Sequence, residues 1–183
     1  MSEKKINQQV LKNKLLPLVL LFAVILLDQL SKAFIVANVP RNSVLCQFFG
    51  DFLRIVHVRN IAVAFSMGHN LPDTVRHVLF GLAPLIVLIV VLAVYFRNND
   101  FSKLQRWLIC GIVGGGFGNL IDRFFRKEGV VDFIDVKFYG IFGLERWPTF
   151  NIADSAIVIC VIILLISFVK TVIQEEKNKE KQA

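Results

Sequence analysis

A membrane-embedded α-helical fold, with four transmembrane helices and a small extracytoplasmic β-rich subdomain, follows from three observations. Of the 183 residues, 55% are hydrophobic, and the mean hydropathy of +0.62 lies above the range of ordinary soluble domains. Four apolar stretches, at about residues 15–36, 75–96, 107–125 and 153–172, approach or reach the roughly 20 residues that cross about 30 Å of hydrocarbon. Between them lie segments rich in β-branched and aromatic residues, bounded by turn formers. The length fits a single integral-membrane domain over residues 1–183, with polar, flexible tails expected at 1–13 and 174–183.

In chain order, Lys4, Lys5, Lys12 and Lys14 precede the first apolar run as in a secretory signal peptide. No small-residue A-x-A site follows, and Asp28 and Lys32 sit within the run, so it reads as a retained helix. Spaced by four, Asp28 and Lys32 share a helix face near its second end. They form either an ion pair or a snorkelling pair at the membrane edge. Next, Leu45 to Phe49 and Phe52 to Val58, separated by Gly50-Asp51, read as a hairpin.

The third span carries Gly111, Gly115 and Gly118 on one small-residue face, which a second helix or a bound chain could approach closely. Asn119 and Asp122 continue that face, with Arg123 adjacent. After it, V-V-D-F-I-D-V-K-F has strand character. Its period of two groups Asp132 with Ile134, Val136 and Phe138, and Asp135 with Lys137. Asp132 is therefore expected to point inward and Asp135 to be solvated beside Lys137. Phe138 to Pro148, rich in glycine and aromatics, reads as a loop at the membrane interface, where Trp147 is at home. Asn151 and Asp154 open the fourth span, as a helix cap, a functional pair, or both.

Four crossings return both termini to one side. The terminal segments and the loop from Arg97 to Arg106 carry Lys and Arg at about twice the density of the two larger loops, which places the termini in the cytoplasm and the larger loops outside. The net charge of +7 is spread over tails, loops and span ends, so topology explains it better than a nucleic-acid surface. Cys46, Cys110 and Cys160 have no C-x-x-C spacing, and His57, His69 and His77 have no H-E-x-x-H spacing. Neither a disulfide framework nor a metal site is expected, and no cofactor is called for.

Topology gathers Asp28, Asn119, Asp122, Asp132 and Asp154 toward one membrane face. Carboxylates at a bilayer cost free energy unless paired or facing a polar cavity, so they mark functional sites. Five blocks then carry a resemblance: D-Q-L-S-K at 28–32, N-I-A-V-A-F at 60–65, G-N-L-I-D-R at 118–123, V-V-D-F at 130–133 and F-N-I-A-D-S at 150–155. In this order, on a four-span pattern, they resemble the lipoprotein signal peptidases (signal peptidase II), membrane aspartic peptidases of bacteria.

The resemblance implies removal of signal peptides from diacylglyceryl-modified prolipoproteins, just before the lipidated cysteine, at the outer face of the bacterial cytoplasmic (inner) membrane. It implies Asp132 and Asp154 as a catalytic dyad that activates water without metal or cofactor. Asp28, Lys32, Asn60, Asn119, Asp122, Arg123 and Asn151 match positions that support the site or contact substrate. Inhibition by globomycin is implied as well, and a monomer is expected. The family pattern has Gly where this chain has Ala62, which bears on a local turn. A proton- or ion-coupled transporter also uses intramembrane carboxylates, but four spans without repeat halves fit it less well. A non-catalytic scaffold would tolerate Asp→Asn changes.

Overall fold

The computed structural model describes residues 10–61 and 72–180. Among these residues four helices are long and apolar enough to cross a membrane: Val10–Asn38, Thr74–Arg97, Lys103–Phe125 and Ile152–Lys179. In the first, Pro17 precedes α1 (Leu18–Asn38), and its missing N–H marks the break from the helical turn before it. In the second, a short helix Asp73–His77 and a π-helical turn Val78–Leu82 lead into α2 (Ala83–Arg97). The third is α3 (Lys103–Phe125), opened by a capping box in which Ser102 and Gln105 satisfy each other's backbone N–H. The last is α4 (Ile152–Glu180). It outlasts the span expected at 153–172, because the polar stretch beyond is rich in the helix formers Gln, Glu and Lys.

The central helix is α3, which packs against α1, α2 and α4. Its glycines explain how. A Cβ at Gly114 would lie 2.7 Å from the Leu21 carbonyl oxygen of α1, and one at Gly115 would lie 2.5 Å from the Ala153 carbonyl oxygen of α4. Backbones approach at these points where any side chain would part them. Leu21, Leu88, Ile109, Val113 and Leu120 form the core between α1, α2 and α3. Leu26, Ile86, Ile159 and Leu165 stay exposed on the outer faces, as lipid-facing residues do. At the far end of the bundle, Arg106 donates to the carbonyls of Tyr95 and Asn98 at the end of α2, and the Tyr95 hydroxyl donates to the Lys14 carbonyl at 2.6 Å.

Three antiparallel strands in the order β1 (Val44–Phe48), β2 (Leu53–Asn60) and β3 (Val130–Val136) form the sheet. The hairpin expected around Gly50 is present, with Phe49 at φ 54 and Gly50 at φ 73 in the turn. β3 then joins β2 in a register that sets Asp132 opposite Val58 and Val130 opposite Asn60. Val131 and Phe133 pack on Ile35 and Val39 at the end of α1, which seats the sheet on the helices.

One expectation is corrected. Asp135 is not solvated beside Lys137. It is 7% exposed and accepts from the Arg146 Nε at 2.6 and 2.7 Å, while Lys137 donates to Asp51 at 3.0 Å. Strand phase gave no sign of Arg146, which reaches back from the loop after β3. That loop is irregular as expected, apart from a single 3-10 turn at Ile141–Gly143.

Candidate active site

The two aspartates meet because β3 and the start of α4 are stitched together. Phe133 and Ile134 donate their backbone N–H to the Phe150 carbonyl, and Phe150 returns one to Ile134. Asn151 follows immediately and opens α4. Its Oδ1 accepts from the Asp154 backbone N–H at 3.0 Å, and its own N–H donates to the Asp154 Oδ2 at 3.1 Å. This is a reciprocal cap on the first turn. It also fixes the Asp154 carboxylate, whose other oxygen accepts from Asn119 Nδ2 at 2.7 Å.

Asn151 does a second job with its amide. Nδ2 donates to Asp132 Oδ1 at 2.8 Å and to Asn119 Oδ1 at 3.0 Å. Asp132 Oδ2 accepts from Asn60 Nδ2 at 3.1 Å. One asparagine thus bridges both aspartates, so capping and site formation are the same geometry.

Beneath lies a buried ionic layer. Lys32 contacts Asp28 at 2.8 Å and Asp122 at 3.1 Å, with all three side chains fully buried, and it donates to Asn119 Oδ1 at 3.0 Å. The snorkelling alternative for Asp28 and Lys32 is thereby excluded. Each carboxylate also ties elements together. Asp28 accepts the Ala153 N–H of α4 at 3.0 Å, and Asp122 accepts the Val131 N–H of β3 at 3.0 Å. Arg126 adds a contact to Asp122 at 2.9 Å. Buried charges persist only when paired and hydrogen-bonded in this way.

Asp132 and Asp154 open into a cavity of about 660 Å³ shared with Asn60, Asn119 and Arg123. Its other walls are mostly apolar, including Val136, Phe138, Trp147, Phe150, Val158 and Ile159. Asp132 is 2% exposed. Burial, and then the negative charge of Asp154, push its carboxyl up to about 7, against the opposing hydrogen bonds of Asn60 and Asn151 and the charge of Lys32.

All nine residues singled out from the sequence fall in this region, but they divide. Asn60, Asn119, Arg123, Asp132 and Asp154 line the cavity, whereas Asp28, Lys32, Asp122 and Asn151 are fully buried behind it. Ala62 lies outside the described residues. Sequence reasoning missed Gln29, whose Nε2 donates to Asp28 at 3.1 Å, the Gly118 carbonyl at 3.0 Å and Asp122 at 3.2 Å. Its signal was its place inside D-Q-L-S-K, between two charges that had already drawn attention. Among the described residues no three His, Cys, Asp or Glu side chains gather as metal ligands would.

Comparison with known proteins agrees with this geometry. The sequence profile described as signal peptidase (SPase) II matches residues 20–170. The chain is 52% identical over 159 residues to the lipoprotein signal peptidase of Treponema pallidum, covering 87% of this chain and 86% of that one. It is 46% identical over 169 residues to that of Treponema denticola, covering 92% and 97% respectively. A bacterial membrane enzyme solved at 1.9 Å by the in meso method superposes with a TM-score of 0.71 at 28% identity, over 84% of this chain and 92% of its own. With its profile match, its relatives and its four-span architecture in agreement, the chain belongs to the signal peptidase II family.

Proposed function

We propose that this single-domain membrane protease cleaves signal peptides from prolipoproteins by aspartic chemistry, with Asp132 and Asp154 as the dyad. The observation that carries the mechanism is the bridge through Asn151, which holds both carboxylates at the polar end of one otherwise apolar cavity. Two interacting carboxylates titrate as a pair and share a proton near neutrality. Asp132, buried and with its carboxyl pushed up to about 7, is the member that enters protonated. Asp154, facing the cleft, accepts a proton from water.

The water oxygen then attacks the scissile carbonyl as Asp132 donates to the carbonyl oxygen, giving a gem-diol. Collapse of the gem-diol breaks the C–N bond as one of its hydroxyls returns a proton to Asp132 and the proton gained by Asp154 passes to the leaving amine. Asn119 and Asn60 hold the carboxylates in register. Arg123, on the cavity wall, is positioned for the substrate backbone. The apolar walls suit a substrate whose diacylglyceryl chains remain in the lipid. The same cavity is the proposed seat of globomycin-type inhibitors. We place it at the outer face, with both termini cytoplasmic and the chain acting as a monomer. The transporter alternative is not favoured, since the relatives are named as peptidases.

The test is cleavage of a purified, diacylglyceryl-modified lipobox substrate by Asp132→Asn and Asp154→Asn. Each variant is expected to insert normally and to lose activity by about a hundredfold or more, the scale of positioned acid–base groups. Wild-type turnover by either one would overturn the dyad.

A further inference from the structure

The stretch from Trp147 to Phe150, between the loop anchor at Arg146 and the cap at Asn151, lines the active-site cavity along its whole length. It runs beside the far edge of β3, whose other edge is taken by β2. Phe150 exchanges both main-chain hydrogen bonds with Ile134, at 3.0 and 2.8 Å, and the Trp147 N–H donates to the Val136 carbonyl at 2.9 Å. Pro148 has no N–H and breaks the ladder between these two points, so the pairing stays at isolated bridges and does not become a fourth strand.

Successive residues of an extended chain turn their N–H and C=O to opposite edges. Because Phe150 spends both groups on Ile134, Thr149 turns its own away from the sheet. Thr149 is half-buried on the cavity wall, and among the described residues neither its backbone nor its hydroxyl has a hydrogen-bond partner. Main-chain groups withdrawn from water without partners cost free energy, so Thr149 offers an unmatched donor and an unmatched acceptor. A peptide entering the cavity has the complementary need. Each of its residues carries an N–H and a C=O, while Val136, Phe138, Val158 and Ile159 on the walls present no polar side chain. Desolvating those groups is unfavourable unless they are paired.

We propose that the substrate segment around the cleavage point binds in extended form along Thr149, accepting from its N–H and donating to its carbonyl as an added strand. Strand addition supplies affinity through the main chain and leaves alternate side chains to set specificity. Thr149 lies two residues before Asn151, the bridge between the two aspartates, so a strand held there runs beside the dyad. Its register against Thr149 then sets which peptide bond is presented to Asp132 and Asp154. This rests on the peptidase reading and adds how the substrate is held.

Turnover of diacylglyceryl-modified lipobox peptides by the full chain in phosphatidylcholine nanodiscs tests it, with each backbone N–H near the scissile bond replaced in turn by an ester oxygen. The scissile amide itself is left intact. Only alternate N–H groups of an added strand face one edge, so the loss is expected at alternate positions, as a KM raised about tenfold, the scale of one lost hydrogen bond. Thr149→Pro removes an N–H that has no partner among the described residues. It is expected to raise KM about tenfold for the all-amide peptide while kcat falls by no more than about twofold. Should that variant fail to fold, the ester scan of the wild type decides. A scan with no loss at any position, or with equal losses at consecutive positions, would overturn the added strand. Alternating losses together with a wild-type KM for Thr149→Pro would overturn Thr149 as its partner. Failure of the wild type to cleave the all-amide peptide would overturn the peptidase reading and this proposal with it, whereas cleavage with a flat scan overturns the proposal alone.

Discussion

At the scale of single residues, Asp132 is the position where environment changes chemistry most. An ordinary aspartate at pH 7 is ionised, whereas burial and the charge of Asp154 push this one up to about 7. Between its usual value of 3.8 and about 7, the folded protein holds a proton that the unfolded chain would release. Stability should therefore fall as pH rises through that window. Thermal unfolding of the detergent-solubilised protein from pH 5 to pH 8 is expected to show a falling Tm, with a flatter profile for Asp132→Asn. Cleavage should decline on the alkaline side of about 7 as the shared proton is lost. A wild-type Tm that rises across this range would contradict the assignment. Asp135, three residues along, lies in the same strand but is paired with Arg146 at 2.6 Å. It anchors the loop and is no part of the proposed dyad.

At the scale of elements, the site depends on where α4 starts relative to α3. The reciprocal cap of Asn151 and Asp154 fixes that start, and Gly115 lets α3 come against the Ala153 carbonyl. A methyl at Gly115 would meet a backbone atom at 2.5 Å, and backbone cannot rotate away. Gly115→Ala is expected to cost about 1–3 kcal/mol, the usual scale of overpacking. It should also lower kcat, because displacing Ala153 moves Asp154 one residue away. Thermal stability and turnover measured on the same preparation check this. A variant with wild-type values for both would show that the two helices part without cost. The buried layer of Asp28, Lys32 and Asp122 works at this scale too, since each acid fastens the N–H of a different element.

For the whole molecule, orientation places the chemistry. Basic residues concentrated in the tails and the loop after α2 are the ground for proposing that those segments are cytoplasmic, with the sheet and cleft outside. Cysteines offer a direct reading: Cys46 on β1 is partly exposed, whereas Cys110 and Cys160 are buried in the bundle. A membrane-impermeant maleimide added to intact spheroplasts is expected to label the wild-type chain and to leave Cys46→Ser unlabelled. Labelling of wild type only after lysis would invert the topology.

Four spans, the hairpin at Gly50 and the gathering of nine candidate residues in one region were legible in the sequence because each rests on local pattern, spacing or ordered motif blocks. Apolar length reports a bilayer crossing, turn chemistry reports a hairpin, and ordered polar blocks report a family. The partners of those residues were not legible. Nothing local says that Arg146 returns to Asp135, that Gln29 reaches Gly118 and Asp122, or that Asp28 and Asp122 hold the ends of α4 and β3. The sequence alone determined that charged groups collect at one membrane face. Only the tertiary structure decided which of them line the cleft and which lie buried behind it. That sorting depends on desolvation and hydrogen bonding among residues far apart in the chain, brought together by helix approach at glycine and by the third strand joining the sheet.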